Sequence, residues 1–207
     1  ETYGTAQYVP IDEKHPQVGQ SPYAASKIGA DQIALSFFKS FKTPVTILRP
    51  FNTYGPRQSC RAVIPTIITQ IAKKKEQLEL GSLSPTRDFN YVSDTCKAFL
   101  EVSKNDKTLG KIINVASSFE ISIAKTAELI KEIMNSKIEI YSDDNRIRPL
   151  NSEVNRLYGD NRLLKKLTYW EPEFGDEKGF KIGLTKTVDW FLNPKNLEFY
   201  KRENYLI

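Results

Sequence analysis

The sequence predicts an α/β fold, and three observations carry that prediction. Short, nearly continuous apolar runs such as Val45-Thr46-Ile47-Leu48 have the composition of buried parallel strands. Longer segments place apolar residues at helical spacing, as Ile64, Ile67, Ile68 and Ile71 do. The two kinds of segment alternate along the chain, the pattern expected when helices cross over between strands.

Taken in order, residues 5–21 carry Pro10, Asp12, Glu13, Pro16 and Gly19 and read as a long surface loop. Ser21 is placed to cap a helix with Pro22 at its first position, and Pro44 bounds that helix. The strand at 45–48 leads into a polar loop over 49–59, and a second helix is expected over 63–75. Beyond a turn near Gly81 come a strand at 88–92 and a helix capped by Ser93 that runs to about Ser103. A strand at 111–116, a helix from a Ser122 cap to about Met134, and a strand at 137–141 follow. Residues 142–155 read as polar loop, and helices near 161–167 and 178–191 close the chain.

The 207 residues are 40% hydrophobic and 27% charged, ordinary values for a globular chain. No apolar run reaches the roughly 18 residues of a membrane span. The net charge of +5 comes without a long basic block, and Lys73, Lys74 and Lys75 read as a solvated helix end. No nucleic-acid or membrane partner is therefore expected. Cys60 and Cys96 have no metal-ligand spacing, so free thiols in a reducing cytoplasm and no metal site are expected. The lone His15 reads as a solvated loop residue, Asp12-Glu13 as surface, and Trp170 and Trp190 as packing residues.

Tyr23-Ala-Ala-Ser-Lys27 puts a phenol and an ammonium at i and i+4, on one helix face. A neighbouring cation favours the phenolate form of a tyrosine and so prepares it as a base near neutral pH. By itself the spacing favours an ordinary surface pair; its surroundings decide otherwise.

Several further segments occur in a fixed order: Glu1-Thr-Tyr-Gly4, then Pro22-Tyr23 with Ser26-Lys27, then Leu48-Arg-Pro-Phe-Asn-Thr-Tyr-Gly-Pro-Arg57. Arg87-Asp-Phe-Asn-Tyr-Val92 with Asp94, Asn114-Val115, and Arg148-Pro149 with Glu153 complete the series. In this order, over essentially the whole chain, they resemble the extended short-chain dehydrogenase/reductase family, the NAD-dependent epimerases and dehydratases. The resemblance implies the C-terminal portion of a Rossmann-type, doubly wound parallel sheet plus a smaller α/β substrate-binding domain. Residues 1–57, with 86–116 partly returning to it, are assigned to the Rossmann part. Residues 58–85 and 117–175 are assigned to the substrate domain, and 176–207 to a helical tail.

The resemblance also implies roles. Tyr23 takes the proton of a sugar C4 hydroxyl as hydride passes to NAD, with NADP as the other candidate cofactor. Lys27 favours the phenolate and holds the nicotinamide ribose. Pro50 and Phe51 line the nicotinamide, and Asn52 contacts substrate. Arg87 and Arg148 grip a diphosphate, for which a planar bidentate donor is suited; the competing reading is an ion pair with Asp88 or Glu153. Glu153 holds a nucleotide ribose. The family's Gly-rich phosphate turn does not occur in these residues. Roughly a hundred upstream residues are therefore expected to be missing, and this chain alone is expected to bind NAD poorly and to be inactive.

Glu1 stands where the family's 4,6-dehydratases carry the base that removes the C5 proton. Arg49–Ser59, Arg61–Gln70 and Arg148–Val154 further resemble NAD-dependent UDP-N-acetylglucosamine 4,6-dehydratases of legionaminic-acid (nonulosonate) synthesis. Cys60 and Gly159-Asp160-Asn161-Arg162 depart from that subgroup. A UDP-hexose 4-epimerase, a dTDP-glucose 4,6-dehydratase and a UDP-glucuronate decarboxylase are the alternatives, with an inert binding or dimerisation module as the reading from another class. A homodimer is expected along the Tyr23 helix, with Ile33, Phe37 and Phe38 in the seam; core packing is the competing role for these residues.

Overall fold

Ser21 begins the first helix as expected. In the computed structural model, which describes residues 2–143, 146 and 152–198, the Ser21 Oγ accepts the Ala24 N–H at 3.1 Å and α1 runs over Pro22–Phe41. Ala24, Ala25, Ala30 and Ala34 supply helix propensity. The helix stops where Lys42 turns into the left-handed region at φ 58°, two residues before Pro44. Ala24 is its one buried residue, and Tyr23, Ile33, Phe37 and Phe41 stand exposed.

Strand β1 (Ile47–Pro50) pairs in parallel with β5 (Ile112–Val115), placing Arg49 opposite Asn114. A second sheet has β4 (Thr86–Tyr91) at its centre, with β2 (Asn52–Tyr54) parallel on one side and β6 (Glu120–Ser122) antiparallel on the other. Strands β3 (Gln77–Leu80) and β7 (Glu139–Ser142) form a third, parallel pair. The helices between and after them are α2 (Val63–Ala72), α3 (Val92–Ser103), α4 (Ile123–Ile133), α5 (Arg162–Leu167), α6 (Glu177–Leu192) and α7 (Pro194–Glu198). A short 3-10 turn, Asp106–Thr108, precedes β5. The expected α/β architecture with parallel pairing is therefore present.

Apolar residues of α2, α4 and α6 cover the β2–β4 sheet in the largest core, where Ile67, Ile68, Ile130, Phe180, Leu184 and Phe191 are essentially inaccessible. Burying each such side chain contributes about 1.5–3 kcal/mol. A second core under the site joins Tyr3, Ile11, Phe51, Ala116, Val154 and Leu157. A third seats α3 and α5 on β5 through Ala98, Val102, Ile113, Val115, Leu164 and Trp170. The Trp170 Nε1 donates to the Asp94 carbonyl at 2.8 Å, in keeping with its expected packing role.

The structure corrects several local expectations. The 49–59 segment is not all loop, because β2 forms within it; β3 and β6 are also additional, being only three or four residues long. Helix α2 ends at Ala72 rather than Lys75, since Lys74 adopts φ 53°. Helix α3 starts at Val92 straight from β4, so extended Tyr91 and not Ser93 is its cap residue. His15 is buried rather than solvated: its Nε2 accepts the Gln7 N–H and its Nδ1 donates to the Pro16 carbonyl, each at 2.9 Å. A ring nitrogen that accepts a backbone N–H fixes the proton on the other nitrogen. Glu13 also turns inward, accepting the Asn114 N–H at 2.9 Å, and burial raises its carboxyl above the ordinary range.

Candidate active site

Two clefts share Asn52, and most of the expected site residues that the structure describes divide between them. The first, about 240 Å³, is lined by Thr2, Tyr3, Tyr23, Arg49, Pro50, Phe51, Asn52 and Leu157. Its walls follow from the sequence. Strand β1 ends at Pro50, Phe51 turns down into the second core, and the chain re-emerges as β2 with Asn52 exposed at its start. Tyr23 reaches the cleft from the first turn of α1, and the Lys27 Nζ lies 5.4 Å from the centre of its ring. Both side chains are open to solvent.

The second cleft, about 250 Å³, contains Asn52 again, with Gln58, Arg61, Glu79, Arg87, Arg146 and Glu153 among its lining residues. Arg87 rises from β4. Its Nη1 donates to the carbonyls of Thr86 (2.9 Å) and Val154 (2.7 Å), and its Nη2 meets the Glu153 Oε1 at 3.2 Å. The pair expected as an alternative to a ligand role is thus made with Glu153. Asp88 faces the other way, as strand alternation requires. Arg146, which sequence reading did not single out, has its Nη2 3.2 Å from the Glu79 carboxylate and its Nε 3.1 Å from that of Asp143.

Asp88 is fully buried. Its two oxygens accept the Ser117 N–H (2.8 Å), the Ser117 hydroxyl (2.6 Å), the Ser118 N–H (3.0 Å) and the Gly159 N–H (3.1 Å). Burial pushes its carboxyl up to about 6 against the opposing pull of those bonds. They pin the loop after β5 and the 152–160 segment beside the clefts. A β-carbon on Gly159 would lie 2.4 Å from the Ala116 Cβ and 2.7 Å from the Phe51 ring, so only glycine permits this approach.

Tyr23, Pro50, Phe51, Asn52, Arg87 and Glu153 therefore line two adjoining clefts that share Asn52, while Lys27 lines neither and stands beside the Tyr23 ring. Glu1 and Arg148 lie outside the described residues. Sequence reading missed Arg146 and quoted Tyr3, Gln58 and Arg61 within motifs without giving them a role. It quoted Arg49 without a role, although a cation ending an apolar strand signals a buried partner.

The exposed phenol and ammonium of Tyr23 and Lys27, beside the Pro50–Phe51 wall, fit the nicotinamide-ribose end of a dinucleotide. The 207 residues contain no Gly-rich turn for its phosphates. Among the described residues no group of three or more His, Cys, Asp or Glu side chains is arranged to hold a metal ion, and no helix is long and apolar enough to cross a membrane.

Comparisons with known proteins place the fold and the family. Human dTDP-D-glucose 4,6-dehydratase is 33% identical over 212 residues, 96% of this chain and 57% of that protein. RMD from Pseudomonas aeruginosa, solved with NADPH, superposes with a TM-score of 0.83 at 29% identity, over 92% of this chain and 63% of that one. A dTDP-glucose 4,6-dehydratase from Bacillus anthracis, solved with NAD, gives 0.82 at 29% identity, over 96% of this chain and 60% of that one. The chain thus spans about six-tenths of the length of each. The profile of the family described as GDP-mannose 4,6 dehydratase matches residues 1–182, and the chain belongs to that family of epimerases and dehydratases.

Proposed function

We propose that this chain carries the sugar-nucleotide side of an NAD-dependent 4,6-dehydratase acting on UDP-N-acetylglucosamine, with NADP as the alternative cofactor. The observation that carries the reading is the position of Asn52. It belongs both to the Tyr23 cleft and to the arginine-bearing cleft, so a ligand with its diphosphate near Arg87 extends past Asn52 toward Tyr23. The UDP-N-acetylglucosamine assignment rests on the motif resemblance at Arg49–Ser59, Arg61–Gln70 and Arg148–Val154. The cofactor assignment is supported by the NAD and NADPH complexes of the structural relatives.

NAD, when bound, supplies the hydride acceptor for C4 and later the donor for C6. In the chain itself, Tyr23 accepts the C4 hydroxyl proton, and Lys27 stabilises the negative charge that leaves the tyrosine ready to do so. The resulting C4 ketone acidifies C5–H; Glu1 removes that proton and delivers it to the C6 hydroxyl, which departs as water. Arg87, oriented by Glu153, holds the diphosphate while this happens. The lack of a Gly-rich turn leads us to expect NAD affinity weaker than micromolar for these 207 residues by themselves. The exposed Ile33, Phe37 and Phe41 on α1 supply an apolar seam for a homodimer, which light scattering tests. Phe38, by contrast, packs against Gly110 within the chain.

The decisive experiment incubates the protein bearing this chain with NAD and, in separate reactions, UDP-N-acetylglucosamine and UDP-glucuronate, and identifies products by mass spectrometry and NMR. A 4-keto-6-deoxy sugar is the expected product. An unchanged-mass C4 epimer, or CO2 released from UDP-glucuronate, replaces the dehydratase reading with one of the other enzymes. Saturable UDP binding without turnover of any sugar nucleotide points to a binding module.

A further inference from the structure

The helix that carries Tyr23 is held by few apolar residues, with Ile28, Ala34, Leu35 and Phe38 only half-buried. Ala24 is its one buried residue, while Ile33, Phe37 and Phe41 face outward. Phe38 lies against Gly110 and holds the C-terminal end. In the middle of α1, Asp31 reaches back to β1. Its Oδ2 accepts the Arg49 Nε–H at 2.8 Å, and the two side chains are only 16% and 7% exposed. The Arg49 Nη2 lies 2.8 Å from the same oxygen, so both nitrogens of one edge of the guanidinium face Asp31.

The same guanidinium lies 4.9 Å over the Tyr3 ring, whose hydroxyl donates to the Asn114 Oδ1 at 2.7 Å. Asn114 is the β5 residue opposite Arg49 and also donates its Nδ2–H to the Ile11 carbonyl. One buried cation thus joins α1, β1, β5 and the N-terminal loop. It lines the cleft that also contains Tyr23, one residue before the Pro50–Asn52 wall. Arginine suits this position because its planar fork can meet a carboxylate while its face rests on a ring. Its charge is tolerated in the interior only because Asp31 is there.

We propose that Arg49 is a positioning residue for Tyr23: through Asp31 it sets where α1 stands against β1, and so where the phenol meets the cleft. This rests on the reading of Tyr23 as the reacting tyrosine, but its placement part is testable without turnover. With ring-13C-labelled tyrosine, the Tyr23 resonance is assigned by its loss in Tyr23→Phe. Arg49→Met and Asp31→Asn are expected to move that resonance by similar amounts. The double exchange Asp31→Arg with Arg49→Asp is expected to return it most of the way, and Arg49→Lys to give an intermediate shift.

UDP affinity, read by calorimetry at the Arg87 cleft, is expected to change less than twofold throughout. In the protein that turns over sugar nucleotide, Arg49→Lys is expected to lower kcat at least tenfold with KM changed less than twofold. A Tyr23 resonance unmoved by Arg49→Lys and Asp31→Asn in folded protein overturns the proposal, as does a KM effect without a kcat effect. Absence of turnover in the unmodified protein counts against the dehydratase reading only, because the resonance experiment still decides the placement of Tyr23.

Discussion

Gly183 in α6 provides a test in which two effects of opposite sign compete. Replacing a helix-interior glycine by alanine gains about 1 kcal/mol from backbone propensity alone. Here, however, a β-carbon would stand 2.1 Å from the Tyr54 Oη and 3.0 Å from its Cζ. Tyr54 has no room to retreat: it is 1% exposed and packed edge-on against Phe89, Tyr91 and Phe180 at ring separations of 5.3–6.0 Å. Overpacking of this kind costs about 1–3 kcal/mol or more, so Gly183→Ala is expected to destabilise by roughly 1–2 kcal/mol net. Tyr54→Phe alone removes a long hydrogen bond, 3.3 Å to the Phe180 carbonyl, and is expected to cost about 0.5–1 kcal/mol.

In the double variant the offending oxygen is gone and the nearest ring carbon needs only a small shift. The pair should therefore be more stable than the sum of the singles by about 1–2 kcal/mol. Urea unfolding followed by tryptophan fluorescence gives all four corners of the cycle, and equal m-values confirm comparable unfolding. Additivity within about 0.5 kcal/mol, or a stabilised Gly183→Ala, refutes the steric argument. The effect should reach the site, because Tyr54 ends the short strand that starts with Asn52.

Asp88→Ala strips the acceptor from the N–H groups of Ser117, Ser118 and Gly159. At about 1–3 kcal/mol per orphaned donor, and allowing for relief of the buried charge, a net loss of at least about 2 kcal/mol is expected. Hydrogen exchange should quicken first at those three amides. Arg156 holds the Glu120 carboxyl below its ordinary range through two hydrogen bonds of 2.8 and 2.9 Å. A lowered folded value stabilises above the unfolded pKa of about 4.3 and loses that stability as pH falls through the folded one. Arg156→Gln should therefore cost stability at neutral pH and nothing at the acid extreme. The loss should be small for a pair this exposed, and shrink with salt. Arg87→Gln should weaken UDP binding at least tenfold, about 1.4 kcal/mol, by calorimetry; unchanged affinity in folded protein would remove Arg87 from the nucleotide site.

The sequence by itself determined the α/β class, the Ser21-capped helix with Tyr23 and Lys27 one turn apart, and the β1 and β5 runs. Each of these rests on local chemistry: a cap hydroxyl, a proline at the first turn, apolar side chains in period. Ordered motifs singled out Pro50, Phe51, Asn52, Arg87 and Glu153, residues that line the two clefts. Only the tertiary structure decided that Arg87 meets Glu153 and not Asp88, because alternate residues of a strand face opposite sides. It alone buried His15 between two backbone groups, revealed the short strands β2, β3 and β6, and joined Arg49 to Asp31 eighteen positions away. Those outcomes depend on which distant backbone or carboxylate arrives at each polar group, and no local pattern carries that information.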